Sequence, residues 1–298
     1  MAQDTTFGLP DGRVLSYAEY GDGAGTPVFY FHGSPGSRLE ARLTDEAARR
    51  LRLRIIAPER PGYGDSTFQE GRTFADWPSD VEALADGLGI DRFAVLGLSG
   101  GGPHVAACAA MLPDRLTAAA IVSGAGPVDA YIARSQSRAG RFLRRATLPL
   151  VRIWTSFGIR LMAAGLRRTP ARRMSTYVDP RVLSRLEARE AFRDELLEGL
   201  RPGTRGARHE FGLHLRPWPF ALSDVAVDVQ LWHGTADRIV KEDIGRYVAT
   251  HLPQCRATFI EGEGHLMIVE RIEEILRVVK QRIADEAISR PRAATTPS

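Results

Sequence analysis

Cysteine is nearly missing from this chain, which holds two in 298 residues, Cys108 and Cys255, far apart and neither within a partner motif. That scarcity excludes a disulfide framework and a structural zinc site, leaving two buried or idle thiols. Long apolar runs are missing too. There is no stretch of eighteen consecutive apolar residues, and the opening "MAQDTTFGLPDG" has no basic region leading into an apolar one, so neither a spanning helix nor a secretory leader is expected. The expectation is a soluble, cytoplasmic protein with no membrane and no nucleic-acid partner. Lysine is rare, 2 against 38 arginines. A genome's base composition produces that bias unaided, so arginine identity by itself says nothing about ligands.

Acids are scarce in one place only. From Ala130 to Arg216 there are nineteen arginines and seven acids, a net charge of +12, while the remainder has 21 basic and 29 acidic residues, a net −8, within a whole-chain charge of +4. Codon preference does not explain a difference in sign. Three causes compete: a solvated helical surface without a partner, attraction of an anionic substrate or acidic carrier protein, and docking of this segment on the rest of the chain or on another subunit.

What is present has an alternating pattern. Asp11-Gly12 is a hairpin turn signal between an early strand and "VLSYAEY". "PVFYFHG", "RIIAPER", "FAVLGLS" and "AAAIVSG" then read as buried strands, with "VQLWHG" and "ATFIEG" beyond the arginine-rich stretch. Helical patterns fall between them, at roughly residues 38–51, 76–88, 101–111, 241–251 and 266–287. Strands alternating with helices call for an α/β fold with a parallel sheet. The alternation breaks for about ninety residues between "IVSG" and "RPWPF", which contain no convincing strand and read as an inserted helical cap. The division is therefore a first core part, 1–126, a helical cap, 127–216, a second core part, 217–288, and a disordered tail, 289–298. Within the cap, Phe142, Ala146, Leu150, Ile153, Trp154, Phe157 and Leu161 recur at helical spacing with Arg144, Arg145, Arg152 and Arg160 elsewhere on the turn, and Pro149 starts a second helix or kinks the first.

Gly97, Ser99 and Gly101 form G-x-S-x-G where a strand runs into a helix. Small residues are required there, because the serine backbone is strained and its neighbours pass close to adjacent chain. This is the context of a nucleophile elbow. A lone serine is a poor nucleophile and needs a base, which in turn needs an orienting acid. Asp237, ending "LWHGTAD", and His265, in "FIEGEGH", follow at strand ends in the order serine, acid, histidine. Taken alone, Asp237 reads equally as a turn residue and His265 as a helix N-terminal residue; Asp129 is the alternative acid. An oxyanion needs two backbone amides, assigned to Gly100 and to Ser34 in "FHGSPGSR". Trp154 and Phe157 are candidates for an acyl pocket or plain core. His32, His233, His104, His209 and His214 read as structural, and Arg60 as organiser of its own Pro-Gly-Tyr-Gly loop.

On "HGSPGS", "ERPGYGDS", "GLSGGG", "HGTAD" and "GEGHL" the chain resembles a capped α/β-hydrolase superfamily enzyme of esterase type across nearly all of residues 4–287. The resemblance implies an eight-stranded, mostly parallel sheet, a cap after the sixth strand and no cofactor. It also implies Ser99 as nucleophile, His265 as base, Asp237 as acid, and the amides of Ser34 and Gly100 as the oxyanion hole, without a metal. Glu59 departs from the aspartate of many relatives, at a structural loop. The reaction so implied is cleavage of an ester or related acyl bond of a small molecule. Thioester, lactone or carbon–carbon cleavage uses the same groups. Haloalkane dehalogenases and epoxide hydrolases place an aspartate where Ser99 stands. Prolyl aminopeptidases need acidic cap residues, against which the cationic cap speaks, and a non-catalytic receptor for a small ligand is the rival from another class.

Overall fold

The computed structural model describes residues 4–133 and 138–289. Eight strands form one sheet in the order β1-β2-β4-β3-β5-β6-β7-β8. They are β1 (Asp4–Gly8), β2 (Val14–Gly21), β3 (Thr26–Phe31), β4 (Leu53–Pro58), β5 (Phe93–Leu98), β6 (Leu116–Val122), β7 (Val229–Gly234) and β8 (Cys255–Ile260). β2 runs antiparallel to both β1 and β4; every other pair is parallel. This is the expected α/β class and strand count. The central strands β5 and β7 are buried at every position, as a parallel strand covered on both faces must be.

Helices α1 (Asp45–Arg50), α2 (Trp77–Gly87), α3 (Gly102–Met111), α8 (Glu242–His251) and α9 (Ile268–Ser289) cover the sheet, while α4 (Val128–Ala133), α5 (Arg138–Arg168), α6 (Leu186–Gly199) and α7 (Arg205–His214) fall between β6 and β7. No described strand interrupts that helical segment. Two apolar layers sandwich the sheet, one including Phe29, Phe31, Trp77 and Val95, the other Val28, Tyr30, Leu96 and Ile275. The alternation of Val28, Phe29, Tyr30 and Phe31 between the layers is the period of two of a strand.

Two expectations change in detail. The helix expected over 38–51 is a 3₁₀ segment, Arg38–Thr44, followed by α1. Pro149 neither starts nor ends a helix but lies inside the 31-residue α5. The expected tail lies, past Ser289, outside the described residues. No described helix is long and apolar enough to cross a membrane.

Candidate active site

The site is built where β5 ends. Ser99 follows its last residue with φ of 52°, in the left-handed region, and a 3₁₀ turn, Ser99–Gly101, delivers the chain into α3. Such a backbone costs about 1–3 kcal/mol and persists only when its surroundings enforce it. Here they do. A Cβ on Gly101 would stand 2.1 Å from the Phe31 carbonyl oxygen, and one on Gly97 would stand 2.6 Å from the carbonyl oxygen of Gly101. Strand and helix therefore meet backbone to backbone, and the Ser99 hydroxyl is left standing at the carboxyl ends of the strands.

Beyond β7 and β8 two loops bring partners to it. The Ser99 hydroxyl donates to His265 Nε2 at 3.0 Å, and His265 Nδ1 donates to Asp237 Oδ2 at 2.7 Å. The other Asp237 oxygen accepts from the backbone amides of Ile239 at 2.8 Å and Val240 at 2.9 Å. Asp237 and His265 are 2% and 5% exposed, so no bulk water competes for these bonds. The carboxylate fixes the imidazole proton on Nδ1 and leaves Nε2 as an acceptor facing the hydroxyl, an arrangement able to activate it. Asp129 lies elsewhere. It is exposed on α4 and borders a separate cavity with Trp218 and Tyr247.

The Ser34 and Gly100 segments converge beside Ser99. A Cβ on Gly100 would be 3.1 Å from the Ser34 amide nitrogen, and one on Gly33 would be 3.7 Å from the Ser99 Cβ. Arg60 holds this loop. Its guanidinium donates to the carbonyls of His32 at 2.5 Å and Gly33 at 2.7 Å and to the Ser34 hydroxyl at 3.0 Å. The expectation that Arg60 organises its own loop is thus corrected: it is fully buried, and its side chain braces a neighbouring one. On its far side Arg60 pairs with Glu210 of α7, which also receives Arg72 at 2.7 Å and the Ser34 hydroxyl. Burial alone would raise the Glu210 carboxyl, but Arg60 and Arg72 outweigh it and hold it well below the usual carboxylate range. An ionised glutamate of α7 thereby clamps the loop that carries Ser34.

A contact from α6 loads the same loop from behind. Glu40 accepts from the Gly33 amide at 3.0 Å and from the Tyr30 hydroxyl at 2.8 Å, and forms a hydrogen-bonded carboxyl pair with Glu195 of α6. Burial, then the Glu40 charge, pushes Glu195 well above its ordinary value, and burial raises Glu40 too. The folded protein therefore retains a proton on this pair that the unfolded chain releases near pH 4.5. The pair's contribution is full below that pH and is lost as pH rises through the elevated folded value. The melting temperature of the wild type should accordingly decline as pH is raised above the ordinary glutamate value of 4.5, and Glu195→Gln should flatten that decline. A pH series of thermal melts checks it; equal slopes in both proteins would count against the shared proton.

The cavity over Ser99 has a volume of about 280 Å³ and is lined by Thr155, Phe211, His214, Leu215, Ile239 and Val240 as well as Ser34 and Gly100. Trp154 and Phe157 are not in that lining. They stand 70% and 50% exposed on α5, where it is Thr155 that turns toward Ser99. Helical periodicity singled out α5, which lines the cavity through Thr155, while Phe157 lines an adjoining cavity that shares Thr155, Phe211 and Leu215 with it. His214, read as structural, is a cavity wall, and burial first of all pushes its imidazole down to about 4. His32 and His104 donate from Nδ1 to the carbonyls of Gly33 at 2.8 Å and Gly100 at 2.9 Å, both neutral because burial drives their values well down. His233 donates to the Val240 carbonyl at 2.8 Å, and His209 to that of Arg72 at 2.8 Å. Glu59, fully buried, accepts from Arg38 at 2.7 Å and from the Asp65 amide at 3.1 Å. Asp179 is a residue that sequence reasoning missed. From the segment between α5 and α6 it accepts the Leu266 amide at 2.9 Å, tying down the residue that follows His265.

Known proteins agree with this architecture. The chain is 34% identical over 116 residues to a dihydrolipoyllysine-residue acetyltransferase component of an acetoin cleaving system from Pseudomonas putida, covering 39% of this chain and 31% of that protein. It spans about a third of the length of the first curated relatives it matches. A hydrolase from Pseudomonas aeruginosa superposes with a TM-score of 0.67 at 19% identity over 96% of this chain and 98% of that one. A thermophilic esterase from Thermogutta terrifontis does so with a TM-score of 0.63 at 22% identity over 96% and 99%. The model of the alpha/beta hydrolase fold family matches residues 26–272, and the chain belongs to that family.

Proposed function

We propose that the protein is a serine hydrolase that cleaves an ester or related acyl bond of a small molecule through an acyl-enzyme intermediate. The observation that carries this reading is the unbroken hydrogen-bond series from Ser99 through His265 to Asp237, at 3.0 and 2.7 Å. In this mechanism the Ser99 oxygen attacks the acyl carbon while His265 Nε2 takes its proton. Asp237 stabilises the imidazolium so formed, and the amides of Ser34 and Gly100 receive the oxyanion. His265 then returns the proton to the leaving group. A water then gives a proton to His265 and attacks the acyl carbon, and as the acyl–Ser99 bond breaks His265 passes that proton to the Ser99 oxygen, freeing the acid and restoring both groups.

The cavity supports a small and mostly apolar substrate, since about 280 Å³ is at or below the lower end of ordinary ligand pockets. The esterase from Thermogutta terrifontis among the structural neighbours supports the bond type. Peptidase chemistry is less well supported. Glu210, whose helix lines the cavity, is occupied by Arg60 and Arg72 and does not offer its charge to a substrate amine.

A fluorophosphonate probe followed by short p-nitrophenyl esters tests the proposal. The expected result is one label per chain, located on Ser99 by peptide mapping, and a burst of p-nitrophenol equivalent to one site. A folded chain that takes no label and turns over no ester would support the receptor reading instead.

A further inference from the structure

Leu150, Ile153, Trp154, Phe157 and Leu161 form an exposed apolar row on α5, and two of them, Ile153 and Phe157, wall a cavity of about 560 Å³ between α5 and α7. Thr155, Phe211 and Leu215 border both this cavity and the one over Ser99, so the two adjoin. The charges that line the larger cavity are of one sign. They are Arg160 from α5 and Arg208 from α7, with no carboxylate among the described residues around them.

Helical geometry places both arginines there. Arg208 is followed three, four and seven residues later by Phe211, Gly212 and Leu215, and Arg160 is preceded at the same intervals by Phe157, Ser156 and Ile153; all eight residues line the cavity. Neither arginine has an acid to answer it. No Asp or Glu occurs from Ala130 to Val178, so α5 offers Arg160 none. The one acid of α7, Glu210, is occupied by Arg60 and Arg72. Neighbouring arginines are paired, Arg201 with Asp65 at 2.5 Å and Arg205 with Glu70 at 3.5 Å, whereas among the described residues Arg160 and Arg208 form no ion pair. An exposed arginine such as Arg160 is, by itself, a solvated charge. Arg208 is different: it is half-buried, and its Nε is sequestered with no hydrogen-bond acceptor. Buried donors are as a rule satisfied, so this one marks the place of an acceptor that a ligand brings.

We infer that the substrate is an anionic ester, its far end a carboxylate that Arg160 and Arg208 receive in the larger cavity while the reacting bond lies over Ser99. The inference rests on the acyl-transfer reading and adds the substrate class to it. A guanidinium presents paired donors in the plane that a carboxylate accepts. Ile153, Phe157 and Phe211 offer apolar walls to the chain between the two ends.

The test compares p-nitrophenyl half-esters of dicarboxylic acids, from succinate to suberate, with the same compounds methylated on the free carboxyl. A parallel pair of series, acetyl esters of ω-hydroxy acids and their methyl esters, puts the charge on the alcohol side. At the length that spans the two cavities, kcat/KM for the free acid should exceed that for its methyl ester by on the order of 10-fold, carried by KM because the contact is the same in the ground and transition states. Added salt should shrink this ratio. Arg208→Gln and Arg160→Gln should each reduce it and together bring it to unity, and Arg160→Glu, at an exposed position where folding is not at stake, should push it below unity. Thermal melts confirm that each variant is folded. Methyl esters that turn over with a ratio of unity at every length in both series overturn this inference and leave the acyl-transfer reading standing. A ratio that survives the double glutamine variant overturns it as well. No turnover of any ester and no fluorophosphonate label overturn both.

Discussion

Ser99→Ala should lower the turnover of short acyl esters by on the order of 10⁶-fold while leaving the melting temperature and substrate affinity close to wild type. The loss corresponds to about 8 kcal/mol of transition-state stabilisation. Alanine retains the Cβ that the elbow already accommodates at φ of 52°, and the cavity walls from α5 and α7 do not change. What disappears is the hydroxyl to which His265 Nε2 is hydrogen-bonded. A residual rate above that of water should persist, since the amides of Ser34 and Gly100 can still polarise a carbonyl. Steady-state kinetics with inhibition by a non-hydrolysable ester analogue separates the lost turnover from retained binding. Near wild-type turnover in the variant would require another nucleophile. Cys108, close by in sequence on α3, is a poor substitute, because it is fully buried and burial raises its thiol well above the ordinary value.

The sequence signals that reached the site are those with a local physical cause. A strand running into three glycines around one serine has few uses, and the glycines are required by backbone approaches as short as 2.1 Å. Asp237 and His265 could be read because strand ends are where loops converge over a parallel sheet. The braces were illegible for the opposite reason. Glu210 and Asp179 act 150 residues from Arg60 and 87 from Leu266, and nothing in the spacing of a helical arginine-rich segment marks which of its acids turn inward. The row on α5 shows the limit of periodicity most directly. Spacing established that Leu150, Trp154, Phe157 and Leu161 share a face, but whether a face is covered depends on elements elsewhere in the chain. The cover went to Ile159, Ala163 and Leu166 on the other side. Arg60 was read in part through locality: its guanidinium does stand over the Tyr63 ring of its own loop, at 5.5 Å from the centroid, but its side-chain hydrogen bonds go to residues 27 and 150 positions away.

Asp237→Asn should cost about 10³–10⁴-fold in kcat/KM, up to roughly 5.5 kcal/mol, through the position of one proton. The substitution is isosteric, and the amides of Ile239 and Val240, at 2.8 and 2.9 Å from Oδ1, require an oxygen in that place. An asparagine side chain must therefore direct its NH₂ group at His265 Nδ1. Two donors cannot face each other at 2.7 Å in a site that is 2–5% exposed, so the imidazole proton moves to Nε2. In that tautomer the nitrogen facing Ser99 carries a hydrogen and no longer accepts one, and the hydroxyl loses its base. The imidazolium also loses its counter-charge. Fluorophosphonate labelling should slow by a similar factor, since it draws on the same activated oxygen, while a crystal structure or thermal melt of the variant should show the fold intact. A loss of only a few-fold would mean that His265 is oriented without Asp237. With Asp129 exposed on α4 at a separate cavity, that outcome would remove the acid from the mechanism rather than reassign it.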